Sequence, residues 1–92
     1  DFVYVGDVAE ANILGATKEI HPSYFGTVFN IGNGRNISIK EIANLISEDQ
    51  VFIAPREAEV EQNLADISKA KEILGWEPKV SVEEWIKLQK NF

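Results

Sequence analysis

Arg56 and Glu59 stand three residues apart in the stretch APREAEV, and their types and spacing suit the holding of a ligand. A guanidinium presents a planar fork that matches phosphate oxygens, and a nearby carboxylate can accept hydrogen bonds from ribose hydroxyls. The same two side chains can instead form a surface ion pair, because isolated charges sit mostly at the surface. Glu57, Glu59 and Glu61 alternate along the same stretch. They do not compose the full set of oxygen ligands a divalent cation needs, so no metal site is expected. The glycine-rich stretch NIGNGRN, residues 30–36, has neither G-x-G-x-x-G nor the lysine and hydroxyl of a phosphate loop. It reads as a turn, with Arg35 solvated, or as a weaker phosphate contact. His21 is the single histidine; one imidazole without patterned neighbours makes neither a zinc site nor a defined general base.

The elements that must position these residues follow from periodicity and punctuation. Residues 1–5 (DFVYV), 26–32 (GTVFNIG) and 51–54 (VFIA) are short apolar runs rich in β-branched and aromatic side chains, and read as strands. Asp7 followed three residues later by Glu10 has the form of a capping box and predicts a helix from Val8 to about Glu19. Ser38 with Glu41 repeats the box ahead of an apolar face made by Ile39, Ile42, Ala43 and Ile46. Asp66 is placed to cap a short helix ending at Gly75, with Pro78 beyond it, and Ser81 with Glu84 opens a last helix. As helix caps, Asp7, Asp66 and Ser81 are not expected to form a catalytic set. Strands and helices in this order predict an α/β class, α+β as an isolated piece: a small sheet covered by helices, forming one structural unit over residues 1–92.

Composition narrows the function. The 92 residues are 45% apolar and 26% charged, as in an ordinary globular chain, and the short length makes independent stability marginal. Cysteine is absent, which removes disulfides, thiolate metal sites and a cysteine nucleophile. With 15 acids against 9 bases and a net charge of -6, nucleic acid and anionic membrane are not expected partners. No apolar stretch is long enough to span a bilayer, and the expected location is cytoplasmic.

Four ordered stretches, DFVYVGDVAEA, GTVFNIGNGRNISIKEIANLI, PREAEV with ADISKAKEILGWEP, and SVEEWI, together resemble the C-terminal region of the extended short-chain dehydrogenase/reductase family. The likeness is to its NAD-dependent nucleotide-sugar epimerases, including the UDP-glucose 4-epimerase kind, and dehydratases. It implies that the chain is the C-terminal, substrate-binding part of a Rossmann-type enzyme whose N-terminal NAD-binding portion is absent here. By resemblance, Arg56 matches the arginine that contacts the nucleotide diphosphate and Glu59 the acid that holds its ribose, while Ala58 stands where many members have glycine. The family's NAD loop and its Tyr-x-x-x-Lys pair lie upstream, and Tyr4 and Tyr24 lack that spacing. No catalytic, cofactor-binding or metal residue is therefore expected, and the chain alone is expected to be inactive. NAD, the missing Rossmann portion and a homodimeric state belong to the complete enzyme. The alternative expectation is a non-catalytic structural or interaction module derived from the same scaffold. Trp76 and Trp85 are expected to pack the scaffold.

Overall fold

The computed structural model describes residues 1–59 and 61–89. It contains three α-helices, α1 (Val5–Thr17), α2 (Ile39–Ile46) and α3 (Val82–Leu88), with a 3-10 turn at Pro22–Tyr24 and a π-helical turn at Ala70–Leu74. Among the described residues there is no β-strand, which overturns the expected α/β or α+β class with its small sheet. Residues 27–31 do alternate, with Thr27, Phe29 and Ile31 turned partly inward and Val28 and Asn30 exposed. That is the pattern of a half-buried strand. A strand, however, is completed by a neighbour's backbone, and β-propensity records only that a side chain suits a pleated, half-buried surface. These segments find no such neighbour among the described residues. Val51, Phe52 and Ile53 are 86%, 86% and 83% exposed, so an apolar run that reads as a buried strand stands in solvent.

α1 begins three residues earlier than its sequence predicts. Tyr4 is the N-cap without a side-chain bond, and its carbonyl accepts from the amides of Asp7 at 3.0 Å and Val8 at 3.2 Å. Asp7 is thus no cap. It is 4% exposed, and its Oδ2 accepts instead from the amides of Lys79 at 3.0 Å and Val80 at 3.1 Å. The distant amides outcompete the local ones for this carboxylate, and they satisfy a buried charge that would otherwise be costly.

The other caps form as their chemistry dictates. Ser38 Oγ accepts from the Glu41 amide at 3.1 Å and Ser81 Oγ from the Glu84 amide at 3.2 Å. Asp66 Oδ1 accepts from the Ser68 amide at 3.1 Å, satisfying a donor that the helix start leaves without a partner. The helical segment that follows widens into the π turn and stops at Gly75, whose φ of 66° lies in the left-handed region glycine tolerates.

The core lies where α1 meets the π turn. Ala11, Ile67, Ala70, Leu74 and Trp76 are buried there, with Leu14 and Phe29 packed against them. Full burial of a residue such as Leu74 stabilises the fold by about 1.5–3 kcal/mol. Trp76 is fully buried and its Nε1 donates to the Asp7 carbonyl at 2.8 Å, so one ring fills the core and fixes α1 to the segment after the π turn. α2 packs on α3, whose Ile86 is buried. The apolar face of α2 is only partly covered, with Ile39 and Ile46 exposed. The radius of gyration is 16.4 Å, against roughly 12 Å for a compact domain of this length. The chain is spread thin, and much of its apolar surface faces outward.

Candidate functional site

The stretch carrying Arg56 and Glu59 is an exposed turn. Arg56 Nε donates to Glu59 Oε1 at 3.0 Å, and the arginine side chain is 84% exposed. Between them Ala58 has a φ of 63°, the one non-glycine residue with positive φ among those described. The turn therefore keeps a backbone conformation suited to glycine while carrying a methyl group that disfavours it. Glu57 and Glu61 are exposed nearby, and no group of histidine, cysteine or acidic residues among the described ones is arranged to hold a metal ion.

The segment beyond the turn, residues 63–65, is tethered by Asp1. Its carboxylate accepts from the amides of Asn33 at 2.7 Å, Gly34 at 2.9 Å and Ala65 at 3.2 Å, while its main-chain nitrogen donates to the Asn63 carbonyl at 2.8 Å. Two loops are thereby drawn to one point. They meet so closely that a Cβ on Gly32 would lie 2.7 Å from the Ala65 Cβ, which explains glycine there. The same bonds decide between the two readings of NIGNGRN: the amides that a phosphate would use at Asn33 and Gly34 are held by Asp1, and the stretch acts as a turn.

Arg35 does not point free into solvent. Its Nη2 donates to both carboxylate oxygens of Glu83 on α3, at 2.6 Å to Oε1, and so ties the glycine turn to the last helix. The guanidinium holds the Glu83 carboxyl below the usual carboxylate range, and Glu83 in turn raises Arg35. Asp66 is lowered as well, first by the Ser68 hydroxyl and then by the Ser68 amide. A carboxyl whose folded-state pKa is depressed contributes stability above its unfolded value and loses it as pH falls through the folded value. The unfolding midpoint is accordingly expected to drop as pH falls below about 4, and Glu83→Gln is expected to flatten that drop. Urea titrations across pH 2–6, a range chosen to span carboxylate titration, check this; an equally steep fall in the variant would remove Glu83 from the account.

His21 Nδ1 lies 2.8 Å from Ser23 Oγ and accepts from the Ser23 amide at 3.1 Å, closing the 3-10 turn. Trp85 is not enclosed like Trp76. It lies with Phe2, Tyr4, Val80 and Val82 around an open apolar groove of about 280 Å³. Sequence reasoning missed Asp1, Asp7 and Glu83 as anchors. Their partners are far away in the chain, and no local pattern marks them.

The family described as GDP-mannose 4,6 dehydratase matches residues 1–89, and the chain belongs to it, within the epimerase/dehydratase group that its motifs resemble. It is 37% identical to a putative UDP-glucose 4-epimerase of Methanocaldococcus jannaschii, over all of this chain and 30% of that protein. It is 33% identical to the UDP-glucuronate 4-epimerase of Thermodesulfobacterium geofontis, over all of this chain and 29% of that one. Among solved structures, the UDP-glucose 4-epimerase of Thermotoga maritima, crystallised with UDP-glucose, matches with a TM-score of 0.78 and 41% identity, over 96% of this chain and 29% of its own. The chain thus spans about 30% of the length of these relatives. The first two alignments run over 98 and 99 positions, so those relatives carry residues with no counterpart among these 92.

Among the described residues, no helix is long and apolar enough to cross a membrane.

Proposed function

We propose that this chain is the C-terminal, substrate-binding part of a cytoplasmic NAD-dependent nucleotide-sugar epimerase or dehydratase. In this reading Arg56 takes the nucleotide diphosphate and Glu59 the ribose. The carrying observation is the Arg56 guanidinium itself: exposed, set on a turn, and bonded to Glu59 through Nε alone among the described residues. Its two terminal nitrogens can then meet two phosphate oxygens, the geometry for which arginine is suited. Asp1 and Asp66 hold the segment that follows, and a ligand gains most from groups fixed before it arrives.

NAD does not fit these residues. The glycine turn ahead of α2 has given its Asn33 and Gly34 amides to Asp1, and in this reading the dinucleotide is held by the Rossmann portion of the complete enzyme. The chain alone is accordingly expected to show no turnover of a nucleotide sugar. In the full polypeptide carrying it, Arg56→Ala is expected to weaken binding of UDP-glucose or a related nucleotide sugar by about 10- to 100-fold, the loss of a charge-assisted fork. Calorimetric titration measures this, and unchanged affinity for every nucleotide sugar tried would reject the assignment. The alternative, a non-catalytic interaction module, draws on the exposed Val51, Phe52 and Ile53. Arg56-dependent binding of a nucleotide sugar would count against it.

A further inference from the structure

We infer that Glu59 is a positioning residue for Arg56, acting on the guanidinium before and during contact with a diphosphate, in addition to any bond with ribose; this rests on the reading of Arg56 given above. A guanidinium has a side edge, built from Nε and one terminal nitrogen, and an end edge, built from both terminal nitrogens. Glu59 Oε1 takes Nε at 3.0 Å and so occupies the side edge. The end edge is left as the two-pronged donor, and neither of its nitrogens has a partner among the described residues. Ala58, at a φ of 63°, turns the backbone sharply enough to bring residues 56 and 59 face to face. Without this pairing, a side chain exposed to 84% samples many rotamers, and ordering it on binding costs affinity.

The two roles of Glu59 separate with a ligand that has phosphates and no ribose. Inorganic pyrophosphate and UDP are titrated into the full polypeptide carrying the chain, as wild type, Glu59→Ala, Arg56→Lys, the double variant and Arg56→Ala. All three substitutions fall on exposed side chains, so folding is not at issue. A positioning role predicts that Glu59→Ala weakens pyrophosphate by up to about fivefold, the upper end of an exposed ion pair's coupling. It further predicts little effect of Glu59→Ala in the Arg56→Lys background, since an ammonium has no edge to orient. Unchanged or tighter pyrophosphate binding in Glu59→Ala, with UDP weakened, would overturn positioning and leave only the ribose contact. If Arg56→Ala changes neither ligand, the underlying assignment of Arg56 fails, and the positioning role with it.

Discussion

Replacing Trp76 with alanine is expected to remove about 3–5 kcal/mol of stability, the range for deleting a large buried aromatic side chain. The ring is fully buried against the α1 and π-turn core, and its Nε1 bond to the Asp7 carbonyl is lost with it. A domain of ordinary stability has only about 5–15 kcal/mol in total. So small a core as this one is expected to lose its cooperative unfolding transition outright. Trp76→Phe separates the two contributions. It keeps most of the apolar ring and leaves the Asp7 carbonyl without its donor, for an expected loss of about 1–3 kcal/mol. Trp85 remains in both variants as the sole tryptophan, and urea unfolding followed by its fluorescence gives the midpoints. A loss below about 1 kcal/mol for the alanine variant, within the range of ordinary surface substitutions and their scatter, would mean that the ring does not organise the core.

Asp7→Ala has the second largest expected effect, about 2–4 kcal/mol. The Lys79 and Val80 amides each lose a bond to a charged acceptor and remain partly buried without a partner. Asp7→Asn tests the cause, because the amide keeps a carbonyl oxygen able to accept from both amides. It is expected to retain more than half of the stability lost in Asp7→Ala. Equal losses in the two variants would show that the charge, rather than the pair of hydrogen bonds, matters. A sequence reading that makes Asp7 a helix cap predicts a different outcome: loss confined to the first turn of α1, of about 1 kcal/mol.

That contrast shows what the sequence discloses and what it does not. Ser38, Asp66, Ser81 and Gly75 are legible because a cap is a contract between residues two or three apart, and nothing elsewhere in the fold disturbs it. Asp7 has the same local signature and a different fate, since α1 starts ahead of it and two amides from a distant segment hold its carboxylate in the folded chain. The three expected strands fail for a related reason. Apolar, β-branched residues at 1–5, 26–32 and 51–54 specify an extended chain, whereas a sheet also requires neighbours, and Val5 is taken into α1 instead. In the candidate site, the pairing of Arg56 with Glu59 is visible in their spacing. The left-handed Ala58 is foreshadowed only by family resemblance, because alanine itself carries no signal for positive φ.

The bonds that close this chain have a consequence for how it is made. Ala65 reaches back to Asp1 across 64 residues, Trp76 to Asp7 across 69 and Val80 to Asp7 across 73, in a chain of 92. Contacts of such wide sequence separation cost loop entropy before they return any stabilisation, and they make folding slow. On a ribosome adding about 5–20 residues per second, Asp7 emerges several seconds ahead of the amides that receive its carboxylate. Over that interval α1 lacks Ile67, Ala70, Leu74 and Trp76, its partners in this core, and Val51, Phe52 and Ile53 are already out. The newborn segment is therefore at its most adhesive before Ala65, Trp76, Lys79 and Val80 supply the clasp, so any shielding by a chaperone, or by a folded neighbour in the same polypeptide, acts during synthesis rather than after it.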